Sequence, residues 1–337
     1  MKTWRVAAGG RIDGLTLGEE SPGAPGPSQV RVRVHAASLN YRDLMVLNGW
    51  YPVSSQAPLV PGSDGAGVVA EVGSAVTRFK VGDRVTTSFF PNWVAGRMSM
   101  AGIAGALGGG GTGTFAEEIL LDEQALVPSP AHLDFAEAAT LTCAGTTAWH
   151  ALFEAGRLRP GDTVLLLGTG GVSIWALQLA KAAGARVIIT SSSDAKLERA
   201  RALGADVGIN YAQVPEWGAE VRKLTGGEGV DVVLEVGGEK TVAQSLAAVR
   251  MQGTVAVIGG VSGFGGSIVP RSLIVGATRV QGVYVGSRQM HEDLARFVTV
   301  AKLKPVVDRV FPAAAAQEAL RYFEAGKHFG KVALSFA

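Results

Sequence analysis

The sequence predicts an α/β protein: a doubly wound parallel sheet with a smaller β-rich region on either side of it. Three observations carry that expectation. Residues 161–193 read as apolar strand, glycine turn, amphipathic helix and second apolar strand. The same strand–helix rhythm returns at 230–235, 241–249, 254–258 and 280–285 with short links, as a parallel sheet covered on both faces requires. Residues 1–121 instead show alternating strands such as 30–35 broken by Pro/Gly loops, and a last strand stands at 331–336.

The glycine turn carries the chemistry. After the buried run 163–167 come Gly168-Thr169-Gly170-Gly171-Val172-Ser173, and then Val172, Trp175, Ala176, Leu179, Ala180 and Ala183 at helical spacing. Gly168 suits the tight turn. Gly170 lets the backbone approach a pyrophosphate, and the N–H groups of Gly171 and Val172 at the helix start offer an anion site. Ser173 takes the position of the third glycine of the G-x-G-x-x-G fingerprint, where it is small enough for helix to pack on strand. The context of strand before and helix after turns a weak motif into an expectation of dinucleotide binding. No acid stands at the end of the second strand, where a ribose 2′-OH would want one. Thr190, Ser191, Ser192 and Ser193 stand there, with Lys196 beyond. An acid ~4 Å from a 2′-phosphate costs about 4 kcal/mol at an effective dielectric of ~20, whereas hydroxyls and a lysine bind it. The cofactor expected is NADP(H). The serines also suit a cap for the helix starting near Asp194, and both readings can hold together.

Composition bounds the rest. At 337 residues two domains are expected. With 18% charged residues and a net charge of +2, no nucleic-acid or membrane-surface partner is implied. A single cysteine, Cys143, rules out an internal disulfide or a multi-cysteine zinc site and fits a cytoplasmic protein. No signal peptide and no membrane span is expected. In chain order, 44–47 reads as a short helical turn after Asn40-Tyr41-Arg42-Asp43. Residues 91–114, with four glycines at 108–111, read as a mobile segment and a candidate flap over a substrate. A long helix is expected from 135 through 152 and an amphipathic one over 289–304. The strands on both sides of the sheet block imply that the tail completes the first domain, giving 1–142 with 286–337 and 143–285.

The stretches SLNYRDL (38–44), PGSDGAGVVAEVG (61–73), VGDRV (81–85), TLTCAGTTAWHAL (140–152), GDTVLLLGTGGVS (161–173), LERARALGAD (197–206) and HFGKVALSF (328–336) together resemble the medium-chain dehydrogenase/reductase superfamily, nearly end to end. The resemblance implies a GroES-like β-barrel catalytic domain and a Rossmann domain inserted before its C-terminal end. Zinc alcohol dehydrogenases of that superfamily carry Cys, Gly-His-Glu and Cys where this chain has Asn40, Gly62-Ser63-Asp64 and Cys143. An amide, a hydroxyl and one thiol do not make a zinc site, so no metal is expected. Without a Lewis acid the chemistry that fits is hydride transfer to a quinone or an α,β-unsaturated carbonyl, as in the zinc-free quinone oxidoreductase and enoyl or enone reductase branch.

The resemblance also assigns residues. Tyr51, in a Gly-x-Tyr-Pro loop, matches a proton donor or substrate anchor, with water as the alternative acid. Tyr41 and Asn40 lie in the loop at the zinc position. Asn40 and Thr147 match residues near the nicotinamide and its ribose, and Lys196 and Tyr211 match contacts to the 2′-phosphate and adenine ribose. Gly237, Ile258 and Gly259 fall at strand ends on the cofactor side, Val283 and Val285 on the strand that holds the carboxamide, and Lys331 on the pyrophosphate. Trp50, Trp93 and Tyr284 would line an apolar substrate pocket. Relatives dimerise through the strand matching 280–285, so a homodimer is expected. A zinc-free alcohol or ketone oxidoreductase and a non-catalytic NADPH-binding sensor remain alternatives.

Overall fold

Runs of Val, Leu and Ile buried on both faces make the strands of one half of the molecule. Thr163–Leu166, Arg186–Ser191 and Val230–Glu235 are almost wholly buried, which requires helices on both sides of their sheet. The computed structural model describes residues 1–7, 9–53 and 58–336. It divides into two compact units, Thr147–Val285 and Met1–Thr146 with Gly286–Ala337.

The unit Thr147–Val285 holds a six-stranded parallel sheet in the spatial order Val207–Asn210, Arg186–Ser191, Thr163–Leu166, Val230–Glu235, Val249–Val257, Arg279–Gly282. The chain starts in the middle, builds outward one way, then returns and builds the other way. Ligands of such sheets bind beyond the carboxyl ends of the two strands flanking the reversal, here Thr163–Leu166 and Val230–Glu235. The helix Gly171–Ala182 follows Thr163–Leu166, and Asp194–Ala202 follows Arg186–Ser191. The expected strand 254–258 is longer, because the backbone re-extends at Val249 as soon as the helix Val242–Ala248 ends. The expected strand 280–285 is shorter, Arg279–Gly282. Val285 sits at φ +47°, a left-handed conformation that no strand contains and that a β-branched residue adopts only under strain.

The other unit holds a seven-stranded sheet. Its main path runs Val307–Pro312, Lys331–Ser335, Gln29–Ser38, Asp64–Val72, Arg84–Thr87, Leu126–Pro128, with Glu118–Asp122 also on Gln29–Ser38. Gln29–Ser38 buries every second residue from Val30 to Val34, as its alternation predicts. The C-terminal strand Lys331–Ser335 lies antiparallel to Gln29–Ser38, with Ala333 opposite Ser38, so the tail is an integral part of this sheet. The amphipathic helix spans Arg288–Ala301 and buries His291, Leu294, Ala295 and Val298.

Two further expectations change, one at 135–152 and one at 91–114. Residues 135–152 are not one regular helix: the π-turns Leu141–Gly145 and His150–Ala155 interrupt it. Thr146 Oγ1 donates to Leu141 O, five residues back, at 2.9 Å and holds the first of them wide. Segment 91–114 is not an open loop. Trp93 and Leu107 are buried, Ser99 caps the short helix Met100–Ile103, and Gly108 and Gly113 pack backbone against backbone. A Cβ on Gly108 would lie 2.4 Å from Gly62 O, and one on Gly113 2.0 Å from Val60 O. These two glycines serve close packing. Trp93, expected in a substrate pocket, belongs to the core.

Candidate active site

Each unit gathers one set of polar groups. In Thr147–Val285 the set lies beyond Leu166. Gly168 takes φ +70°, which glycine adopts without strain. Gly170 has an ordinary φ of −79° as the N-cap of the helix Gly171–Ala182. A Cβ there would meet nothing within 4 Å, so no protein atom demands a glycine. Space is reserved over a helix N-terminus, where first-turn N–H groups point outward. Ser173 replaces the third glycine with a gain: its buried Oγ donates to Leu167 O at 2.7 Å and ties the helix to the strand.

At the end of Arg186–Ser191 the structure brings together four of the expected residues. Ser193 N–H donates to Ser191 Oγ at 3.2 Å, and Ser193 Oγ accepts the Lys196 N–H at 3.4 Å as the helix cap. Tyr211 N–H donates to Ser191 O at 3.0 Å, and Ser192 is exposed. The nearby acid, Asp194, accepts from Asn210 Nδ2 at 2.8 Å and Gln213 Nε2 at 3.0 Å. On the other side of the reversal lies a residue the sequence did not single out. Glu235 is fully buried, and its carboxylate accepts from Gly237 N–H at 2.7 Å, Gly238 N–H at 2.9 Å, Thr241 Oγ1 at 2.6 Å and Ser245 Oγ. It shapes the turn that carries Gly237. Its backbone oxygen accepts from Ile258 N–H at 2.8 Å. Thr147, Val283 and Val285 are buried, and Val285 O accepts from His150 Nδ1 at 2.8 Å.

In the other unit the set surrounds Asn40. Asn40 N–H donates to Asp43 Oδ2 at 2.8 Å, while Asp43 N–H donates to Asn40 O at 2.9 Å, locking the start of the helix Tyr41–Leu47. Ser63 Oγ donates to Asp64 Oδ1 at 2.8 Å, and Thr87 Oγ1 donates to Ser63 O at 2.8 Å. Lys331, expected at a pyrophosphate, is instead 2% exposed inside this cluster. Its Nζ donates to Leu39 O at 2.6 Å and Asn40 Oδ1 at 2.5 Å, with Asp64 Oδ2 at 3.7 Å. Burial pushes the Asp43 carboxyl up to about 6, opposed by the neighbouring Arg42 charge. Although part of Cys143 reaches solvent, burial first and the Asp64 carboxylate second push its thiol up to about 12. Such a thiol is not an activated nucleophile.

Tyr51 lies with Arg42, whose guanidinium carbon is 5.5 Å from the Tyr51 ring centroid and 4.7 Å from that of Phe89. Arg42 also donates to Leu107 O. Tyr41 is 38% exposed on the first helical position. Among the described residues no group of three or more His, Cys, Asp or Glu side chains is placed to hold a metal ion.

Residues 26–131 match the alcohol dehydrogenase GroES-like domain, and residues 171–300 match the zinc-binding dehydrogenase family. A zinc-type alcohol dehydrogenase-like protein of Schizosaccharomyces pombe is 45% identical over 322 residues, covering 94% of this chain and 93% of the relative. The chain belongs to the medium-chain dehydrogenase/reductase family. Within this oxidoreductase family, a quinone oxidoreductase of Pseudomonas aeruginosa is 37% identical over 266 residues, 78% of this chain and 74% of that one. Among solved structures, a Sinorhizobium meliloti protein assigned to the alcohol dehydrogenases superposes with a TM-score of 0.93 at 43% identity, covering all of both chains. An NAD-dependent alcohol dehydrogenase gives 0.91 at 38%, again over all of both chains. A 2-octenoyl-CoA carboxylase reductase in complex with NADP and 2-octenoyl-CoA gives 0.88 at 27%, over 99% of this chain and 87% of that one. The parallel sheet and the GroES-like unit are thus those of a medium-chain dehydrogenase/reductase. No helix among the described residues is long and apolar enough to cross a membrane.

Proposed function

We propose that this chain is a zinc-independent, NADP(H)-dependent reductase of quinones or α,β-unsaturated carbonyls. The observation that carries the reading is the donor set around Asn40. Zinc wants thiolate, imidazole or carboxylate in a closed shell. This cluster offers an amide, a hydroxyl, one cysteine sulfur and the Asp64 carboxylate but no imidazole, and an ammonium is bonded to the amide oxygen and stands 3.7 Å from that carboxylate. A divalent cation beside that ammonium would be repelled, so the residues do not fit a zinc. Reduction of a conjugated acceptor asks less of the protein: a hydrogen-bond donor for the oxygen that gains charge, and later a proton.

The space over Gly170 and the outward first-turn N–H groups fit a pyrophosphate. A dinucleotide whose diphosphate lay there would supply the hydride from its nicotinamide. Gly168, Gly170, Gly171 and Val172 would hold its diphosphate. Ser191, Ser192, Ser193, Lys196 and Tyr211 would take the 2′-phosphate, with Asp194 diverted to Asn210 and Gln213. Thr147, Gly237, Ile258, Gly259, Val283 and Val285 would form the remaining wall. Asn40 would donate to the acceptor oxygen and Tyr51 would deliver the proton. The domains are read as 1–142 with 286–337 for catalysis and 143–285 for the cofactor, in a cytoplasmic protein. A second copy would cover the edge strand Arg279–Gly282 and the helix Pro270–Gly276, which buries none of its residues and exposes Ile274 by 78%.

The deciding experiment is NADPH oxidation by chelator-treated protein against a simple quinone and a simple enone, with NADH in parallel. Turnover with at least about a tenfold preference in kcat/KM for NADPH is expected, and Tyr51→Phe should lower kcat at least about tenfold without weakening cofactor binding. Equal use of NADH overturns the NADP(H) assignment. Alcohol oxidation in chelator, with no quinone or enone reduced, favours an alcohol or ketone oxidoreductase. Tight NADPH binding with no turnover favours a sensor.

A further inference from the structure

We infer that Lys331 is a positioning residue: its ammonium holds the Asn40 amide oxygen inward, so that the amide nitrogen is what Asn40 presents to an acceptor. The inference deepens the proposed reductase reading and rests on it for the identity of that acceptor, a carbonyl or quinone oxygen.

The argument begins with donors and acceptors. An ammonium has three N–H donors and no acceptor. The Asn40 side-chain atom 2.5 Å from Lys331 Nζ is therefore the oxygen. That fixes the amide's two ends, which an isolated asparagine can exchange by a half-turn. The nitrogen then faces Ser38 O and Ser63 Oγ, both at 3.5 Å, the outer limit of a hydrogen bond. Its two N–H groups are held in direction but weakly used. The backbone of Asn40 is fixed separately by the reciprocal bonds with Asp43, so the remaining freedom of the side chain is the part Lys331 removes.

Lys331 is itself held for the task. It opens the strand Lys331–Ser335, whose pairing with Gln29–Ser38 brings the end of that strand, Ser38, opposite Ala333. Asn40 follows two residues after Ser38. Leu39 O takes a second ammonium proton at 2.6 Å, and the Asp64 carboxylate, its Oδ1 already accepting from Ser63, balances the charge from 3.7 Å. A cation on the amide oxygen also polarises the amide and strengthens its N–H groups as donors. An oxygen gaining negative charge in the transition state would feel that gain more than the neutral acceptor does. In this arrangement a side-chain ammonium delivers positive charge to the acceptor through an amide rather than by contact.

The chain has four asparagines, Asn40, Asn48, Asn92 and Asn210, so protein labelled with 15N-asparagine gives a side-chain amide spectrum sparse enough to follow Asn40. The pair is identified by its loss in Asn40→Ala. The variants are Lys331→Met and, in case an unpaired Asp64 prevents folding, Lys331→Met with Asp64→Asn, which removes the ammonium together with its counter-ion. We expect the Asn40 amide pair to shift or broaden in these variants while the other three pairs stay in place. We expect kcat to fall at least about thirtyfold with the NADPH dissociation constant within about twofold of the wild type. An Asn40 pair unmoved in the folded variant overturns the inference, and so does a kcat within about threefold of the wild type. A tenfold weaker NADPH complex with kcat preserved would return Lys331 to a cofactor contact. If the wild type reduces neither quinones nor enones, the functional reading fails, and the amide spectrum alone decides whether Lys331 orients Asn40.

Discussion

A methyl group added at Gly170 would meet nothing within 4 Å, whereas one at Gly113 would lie 2.0 Å from Val60 O and 2.2 Å from Pro61 O. Both positions sit in glycine-rich stretches that look alike on paper. In the first, glycine keeps a volume clear that no part of the protein uses. In the second, it lets two stretches of backbone touch. Glycine content alone therefore says that something comes close; whether that something is a ligand or the chain itself depends on residues far away in sequence.

Substitution should separate the two kinds. The largest effect is expected at Gly113→Ala, where backbone must move to admit the methyl group: upward of about 3 kcal/mol of stability lost, read as a fall in melting temperature. An unchanged melting temperature would show that the contact relaxes freely. Next come the buried acids. Glu235 has donors on both carboxylate oxygens, whereas Asp43 keeps an oxygen without a hydrogen-bond partner. Burial raises the Asp43 carboxyl from 3.8 to about 6. Between those values the unfolded chain releases a proton that the folded chain retains, so this group's contribution to stability is present below about pH 4 and lost as pH rises towards 6. The melting temperature of the wild type should fall relative to Asp43→Asn across that window and run parallel to it above about pH 7. A constant difference from pH 4 to 7 would place the carboxyl in its ordinary range.

The smallest stability effects are expected at the ligand-type glycines. Gly168→Ala should cost about 1–2 kcal/mol, the strain of a left-handed residue. Gly170→Ala should stay within about 1 kcal/mol of the wild type in stability yet weaken NADPH binding at least about tenfold, measured by fluorescence titration. If Gly170→Ala binds NADPH as the wild type does, the space over that helix is not where the diphosphate lies.

The parts legible in the sequence were those with local causes. The apolar run 163–167, the glycine turn, the cap at Ser193 and the strand 331–336 each follow from neighbours a few positions apart. So does the alternation of 30–35, which the structure extends to Gln29–Ser38. The parts that were not legible depend on distance along the chain. Lys331 meets Asn40 across 291 positions, and nothing near Lys331 distinguishes a buried ammonium from a solvated one, although the apolar strand that follows it was a hint. Glu235 looked like the polar end of a strand because its partners, Thr241 and Ser245, look like ordinary helix residues. Segment 91–114 looked open because its packing partners, Val60 to Gly62, carry the contact through carbonyl oxygens.

That last feature bears on how the chain tolerates change. Side chains negotiate: a neighbour can turn aside to admit a larger residue. Where one main chain lies directly on another, as Gly108 on Gly62 and Gly113 on Val60, there is no rotamer to yield. Every replacement at these positions meets the same obstacle, whatever its chemistry. A saturation survey of the protein would score them as intolerant as any residue that touches a substrate. Sequence divergence would spare them equally, and a reader ranking positions by invariance would place an architectural seam among the reactive groups.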